Sequence, residues 1–250
     1  MRVDLNADIG ESFGIYTTGS DEQLVRVVTS ANIACGFHAG DPTVMRRTVG
    51  LAIQAGIGIG AHPGFPDLAG FGRREMQVAP EDVSNLVLYQ IGALAAIVKS
   101  EGGVLRHVKP HGALYNMSAR RADMAEAIAR AVASFNRNLL LIGPPGSQLL
   151  AAGSREGLTV AAEAFADRSY EPDGSLTPRH DVHALLTDPV HVTERALRMV
   201  RDGTVVARDG SSLSLKVDTL CVHGDTPGAV ELAAAVRAGL ERGGATVSPL

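Results

Sequence analysis

Four histidines in this chain stand beside or near glycine, each at the end of a short apolar run: His38 in Gly36-Phe37-His38-Ala39-Gly40, His62 before Pro63-Gly64, His111 before Gly112, and His223 before Gly224. In a parallel α/β protein the carboxyl ends of all strands lie on one face, and that face carries the site. Four histidines so placed converge, and an imidazole can serve there as base, acid or metal ligand. Asp8 and Glu11 follow the first strand-like run. Beside histidines, such carboxylates can bind a divalent metal, orient a ring or act as general base. Asp8, His38 and His62 together suit Zn²⁺ or Mn²⁺, although no His-x-x-x-His or His-x-His pair concentrates ligands locally. Lys109, before Pro110, would hold an anion or stabilise developing negative charge if it points into a site. Asp167, Arg168 and Arg179 follow a later run; a guanidinium binds carboxylate or phosphate through paired hydrogen bonds.

Blander readings stand beside these. A single strand-end histidine is ordinarily structural, and it is the fourfold recurrence that argues for function. His107, inside a strand run, reads as a core histidine; His180, His183 and His191 read as solvated. Arg73-Arg74 is either a solvated pair or an anion clamp. Cys35 reads as a small buried hydrophobe before it reads as a nucleophile. The chain has no Gly-x-x-x-x-Gly-Lys-Ser/Thr segment and no Gly-x-Ser-x-Gly elbow. The glycines of residues 56–60 miss the dinucleotide-binding spacing and read as a strand in close packing.

The elements that must position these groups alternate. Strand runs fall at residues 2–8, around Ile33, and at 57–61, 105–108, 139–142, 158–165 and 219–222. Helical patterns lie between them, opened by Asp21, by Asp41-Pro42, by Pro80, by Asp123, after Pro144-Pro145-Gly146, by Asp188-Pro189 and by Thr226-Pro227. Strict alternation implies parallel strands with right-handed crossovers. Seven strands with polar groups at so many ends favour a seven-stranded (β/α) barrel over an open doubly wound sheet, in one domain spanning residues 1–250. The loop at residues 62–78 is long for a strand-to-helix connection, which marks it as functional.

Bulk properties exclude more than they select. A net charge of −4, with 23 basic and 27 acidic residues and no basic stretch, argues against nucleic acid. Two cysteines make no disulfide framework. The first residues lack the apolar segment of a signal peptide, and no apolar run reads as long enough to cross a bilayer, so a cytoplasmic location is expected.

Seven segments, VDLNADIGE, SANIACGFHAGDP, GAHPGFPD with GFGRR, LYQIGAL, RHVKPHGALYN, FADRSYEPDGSLTPR and CVHGDTPGA, together resemble the LamB/YcsF family from Val3 to about Ala229. The resemblance implies a seven-stranded barrel similar to the glycoside hydrolase/deacetylase superfamily. It implies cleavage of 5-oxoproline (pyroglutamate) to glutamate, coupled to hydrolysis of ATP to ADP and phosphate, with Mg²⁺ and with two further subunits, B and C. On that basis Lys109 and Arg168 would hold phosphate or substrate carboxylate, with Asn6, Asp167 and Arg179 as further binding residues. Asp8 or Glu11, with His38 or His62, would deprotonate the attacking water. His111 and His223 would hydrogen-bond or protonate the leaving nitrogen, Asp225 would orient His223, and Phe13, Phe37 and Phe65 would wall the ring. The rival expectations are a metal-dependent amide or polysaccharide deacetylase, and a binding or scaffold component whose partners do the chemistry.

Overall fold

The computed structural model describes residues 1–223 and 228–250, with His223 described by its backbone alone. In chain order the strands are β1 (Arg2–Ile9), β2 (Ser30–Ala34), β3 (Gly58–His62), β4 (Leu105–Val108), β5 (Leu140–Gly143), β6 (Thr159–Phe165), β7 (Thr204–Val206), β8 (Ser212–Ser214), β9 (Thr219–His223) and β10 (Thr246–Val247). Strands β1 to β6 run side by side in parallel, and β9 pairs with both β6 and β1, so seven strands close into a barrel. All seven coincide with the strand runs expected from the sequence. Short β10 adds to the outside of β1, and β7 and β8 form an antiparallel hairpin; the sequence patterns do not indicate these three.

The helices are α1 (Asp21–Leu24), α2 (Pro42–Ala55), α3 (Pro80–Ser100), α4 (Gly112–Arg120), α5 (Ala122–Phe135), α6 (Gln148–Arg155), α7 (Pro189–Asp202) and α8 (Ala229–Arg242). The α2 start is as the sequence indicates: Asp41 accepts from the Thr43 and Val44 amides, and Pro42 occupies the first turn. Helix α1 is a single turn rather than a helix reaching Val28. Helix α4 has no counterpart among the expected elements. It begins directly after His111 and is separated from α5 by Arg121, which is extended. The expected start of the last helix, Thr226-Pro227, lies outside the described residues. Helix α3 is by length and composition able to cross a membrane, contrary to the sequence expectation. Here its stripe of Val83, Val87, Ile91, Leu94 and Val98 is buried.

Strand β1 shows how the barrel divides its residues. Val3, Leu5, Ala7 and Ile9 belong to the apolar core, whereas the alternate residues Asp4, Asn6 and Asp8 bond across to other strands. Barrels of this kind ordinarily fill their interior with Val, Ile and Leu; this one is filled with polar groups. Asp4 accepts from Thr29, Ser30 and Thr219 at 2.7, 2.7 and 2.6 Å, and burial raises its pKa. Asn6 donates to Thr219 and Glu163, and Asn32 donates to Asn6 and Asp8. The His107 ring crosses the interior to donate from Nε2 to Asn32 Oδ1 at 2.8 Å. It passes over Gly60 so closely that a Cβ there would lie 1.9 Å from Nε2. The glycine is the space the ring uses.

Candidate active site and metal centre

The upper end of the polar interior is where the strand-end residues meet. Asp8 (β1), Glu11 just beyond β1, His38 beyond β2, His62 (β3), and Lys109 and His111 beyond β4 are all buried. Their convergence follows from the parallel sheet. Backbone register places Asp8 opposite Asn32 on one side and opposite His223 on the other.

Two histidines have their tautomers set by main-chain carbonyls, which can only accept. His62 Nδ1 donates to the Lys109 carbonyl at 2.7 Å, and His111 Nε2 donates to the Phe71 carbonyl at 2.8 Å. When both rings are neutral, His62 Nε2 and His111 Nδ1 present lone pairs to each other, 3.0 Å apart. A proton between them would relieve the repulsion. Burial, followed by His38 and His62, instead holds the His111 pKa well below the usual imidazole range. His38 is held well down too, by burial and then by His62. Neither of its ring nitrogens makes a hydrogen bond among the described residues. Its ring stacks on His111 at 3.8 Å with 2° between the planes, and its Nε2 lies 3.5 Å from Glu11 Oε1. Glu11 Oε1 is 3.6 Å from His111 Nδ1.

These separations test the site for a cation. One donor atom each from Glu11, His38, His62 and His111 lie within 4.8 Å of one another. For bonds of about 2.1 Å, ligand atoms around a tetrahedral ion lie about 3.4 Å apart. The facing lone pairs, the unbonded His38 nitrogens and the carboxylate all fit a divalent ion. Three imidazoles and one carboxylate favour a transition metal over Mg²⁺, which prefers oxygen ligands. The sequence expectation for the metal set is Asp8, His38 and His62. The structure groups Glu11 and His111 with the two histidines and sets Asp8 beside them, its Oδ2 3.4 Å from His62 Nε2.

Asp8 faces two ways. Its Oδ1 accepts from Asn32 and from Lys109 Nζ, both at 2.9 Å. Burial opposes the lysine's charge, but Asp8, Cys221 and Glu163 around it hold the ammonium well above its usual range. The ion pairs to Asp8 and Glu163 at 2.9 and 2.8 Å favour an ammonium over a free amine at this position. Both cysteines are buried, free thiols. Burial pushes Cys35 up to about 12, and burial with Asp8 beside it pushes Cys221 far above its usual value.

The long loop after β3 closes over the histidines. Phe71 adopts a left-handed backbone, φ 55°, which directs its carbonyl to His111, and its ring meets His38 and His111 edge to face. Gly72 follows, also left-handed, where a Cβ would lie 2.7 Å from the His38 Cβ. Arg73 lies over the Phe71 ring at 4.7 Å, and Arg74 pairs with Asp67.

Other expected residues are placed differently. Asn6 is fully buried below Asp8 and belongs to the interior network. Phe65 is fully buried in the apolar core. Phe37 stacks on Tyr89 at 5.4 Å, and Phe13 bridges to Tyr16. Arg168 is buried and donates to the Ala184 and Thr177 carbonyls, so it ties down the loop that carries half-buried Arg179. Burial, then Arg179, lowers Arg168 to about 10. Asp167 is 2% exposed and its carbonyl accepts from the Leu186 amide. The His223 side chain and Asp225 lie outside the described residues.

The sixth strand run delivers Glu163 along with Asp167 and Arg168, but the sequence patterns do not single out Phe71, Asn32 or Cys221 as part of this region. A signal for Asn32 exists. Asp4, Asn6, Asp8, Asn32, His107, Lys109 and Glu163 are polar residues at alternate positions of otherwise apolar strands. Only the tertiary closure shows that those positions share one interior.

The sequence profile of the LamB/YcsF family matches residues 3–250. A chain from Methylococcus capsulatus, named as the A subunit of 5-oxoprolinase, is 56% identical over 248 residues, covering 99% of this chain and 95% of that one. The crystal structure of a lactam utilization protein from Thermus thermophilus superposes with a TM-score of 0.94 at 49% identity, covering 100% of both chains. A structure described as T48 deacetylase with substrate superposes with a TM-score of 0.50 at 14% identity, covering 99% of this chain and 87% of that one; at that identity it shows the fold alone.

Proposed function

The chain belongs to the LamB/YcsF family, and from that premise we propose that it is the amide-opening component of a 5-oxoprolinase, hydrolysing 5-oxo-L-proline to L-glutamate. The reaction is coupled to ATP hydrolysis, giving ADP and phosphate, with Mg²⁺ accompanying the nucleotide and with partner subunits B and C completing the enzyme. The observation that carries this reading is the facing pair His62 Nε2 and His111 Nδ1, 3.0 Å apart, with the Asp8–Lys109 ion pair beside it. A five-membered cyclic amide is a weak electrophile, and its opening needs a base for water and a cation for the charge that develops on oxygen.

Glu11, His38, His62 and His111 would hold a divalent transition metal. Such an ion, when bound, acts as a Lewis acid and makes water more acidic. Asp8 borders that position and is the carboxylate placed to take a proton from the attacking water. Lys109 Nζ, held by Asp8 at 2.9 Å and Glu163 at 2.8 Å, supplies fixed positive charge for developing negative charge. Phe71 and Gly72 cover the histidines and limit water beside them. No phosphate loop occurs in this sequence, and the partners are the natural source of groups that bind ATP.

The test is 5-oxoproline-dependent release of glutamate and phosphate by this chain alone and with subunits B and C. Equal amounts released only in the full mixture, and lost on chelation of the transition metal, are expected. No release with folded partners would overturn the proposal. Acetate release from an acetylated glycan by this chain without ATP would move the assignment to a metal-dependent deacetylase.

A further inference from the structure

Glu163 is outside the metal set, and what its contact with Lys109 adds to the Asp8 pair is not a matter of charge alone. It lies on β6, 1% exposed, and its Oε1 accepts from Lys109 Nζ at 2.8 Å and from Asn6 Nδ2 at 3.0 Å. Lys109 already has an ion-pair partner in Asp8. One carboxylate neutralises one ammonium, and a second buried carboxylate costs desolvation with no charge left to cancel. What the second carboxylate adds is direction. Asp8 is shared among Lys109, Asn32 and the edge of the histidine cluster. A lysine held by Asp8 alone would follow that carboxylate. Held from β1 and β6 together, Nζ is fixed across the barrel, with Cys221 Sγ 3.1 Å away and the Phe165 ring 5.4 Å away.

We propose that Glu163 is a positioning residue: with Asp8 it clamps Lys109 so that Nζ presents a fixed cation to the reacting amide. The proposal rests on the amide-opening reading above. Pre-oriented donors outperform mobile ones because no reorganisation is needed as charge develops. Displacing a catalytic group by about 1 Å costs about 10²-fold in rate. Asn6 supports the clamp, since its amide also donates to Glu163 Oε1 and fixes that oxygen in turn.

Two variants test the clamp in the assembled enzyme, Glu163→Gln and Glu163→Ala. Glu163→Gln keeps the shape and the acceptor and removes the charge. Glu163→Ala removes the acceptor and is expected to lower kcat about 10²-fold, with KM within about twofold and metal content retained, whereas Glu163→Gln is expected to recover most of that loss. A second readout needs no activity: the side-chain ¹⁵N ammonium resonance of Lys109, identified by its loss in Lys109→Arg. It is expected to be visible in the parent chain, shifted in Glu163→Gln, and broadened away in Glu163→Ala. Unchanged kcat in Glu163→Ala, or no recovery in Glu163→Gln, would overturn the proposal. So would a fall in kcat that only tracks loss of metal or of folded protein, or an ammonium signal untouched in Glu163→Ala. If the parent assembly itself turns over no 5-oxoproline, the proposed reaction fails, and the ammonium signal still decides whether Glu163 holds Lys109.

Discussion

His62 Nε2 and His111 Nδ1 face each other 3.0 Å apart, while the opposite nitrogen of each ring lies within hydrogen-bond distance of a backbone carbonyl. The carbonyls belong to Lys109 and Phe71, so the tautomers depend on the β4 end and on the loop after β3. Burial disfavours a proton in the gap. With both rings neutral, a divalent cation bound by the two nitrogens would satisfy both lone pairs.

That relationship makes metal content the first expectation. The purified chain should bind about one divalent transition metal ion per molecule. His62→Ala and His111→Ala should each lose it, as read by elemental analysis and by titration with Zn²⁺ or Mn²⁺. A parent chain that takes up neither ion after complete removal of chelator would refute the centre.

Lys109→Met should destabilise the chain. The substitution leaves the Asp8 and Glu163 carboxylates buried without their shared cation. Breaking a buried ion pair in this way costs about 3–5 kcal/mol. Adding Glu163→Gln to Lys109→Met should return part of that loss, because one of the stranded charges is removed. Urea unfolding measures both. Equal stability of the single and double variants would argue that the carboxylates are not stranded.

Gly60→Ala and Gly92→Ala should differ in sign. A Cβ at Gly60 would meet His107 Nε2 at 1.9 Å, against a ring that is itself bonded across the barrel. Overpacking of this kind costs about 1–3 kcal/mol or more. Gly92 lies within α3 with open space around it, and alanine there should stabilise by about 0.5–1 kcal/mol. Thermal unfolding of the two variants provides the comparison, and a harmless Gly60→Ala would show that the ring does not cross the interior there.

Acid should weaken the fold through His107. Burial, then the nearby Lys109, lowers its pKa to about 3 from the ordinary 6.5. The folded value lies below the unfolded one, so this contribution is complete above pH 6.5 and drains away as pH falls toward 3. One proton's worth of linkage is about 1.4 kcal/mol per pH unit within that window. His107→Gln, which keeps a donor for Asn32, should flatten the slope of stability against pH between about 6 and about 4. An identical slope in the variant would show that His107 titrates normally.

The sequence by itself determined the barrel and the face that carries the site. Alternating strand and helix patterns demand parallel strands, and parallel strands put Asp8, His38, His62, Lys109 and His111 at one end whatever the details. It also determined local punctuation, such as the Asp41-Pro42 cap and the glycines that let residues 62–78 fold back. Tertiary structure decided which of those groups touch. Asp8 and Glu11 are indistinguishable in the sequence as carboxylates three residues apart, yet Glu11 joins the histidines and Asp8 turns to Lys109, because each distance depends on how seven strands tilt when the sheet closes. Tertiary structure also decided the tautomers, since a carbonyl's aim is a property of the folded backbone. The sequence places Glu163 on the sixth strand run, but its pairing with Lys109, 54 residues earlier in the chain, became legible only in the fold, where β4 and β6 flank β5 and both side chains enter one interior.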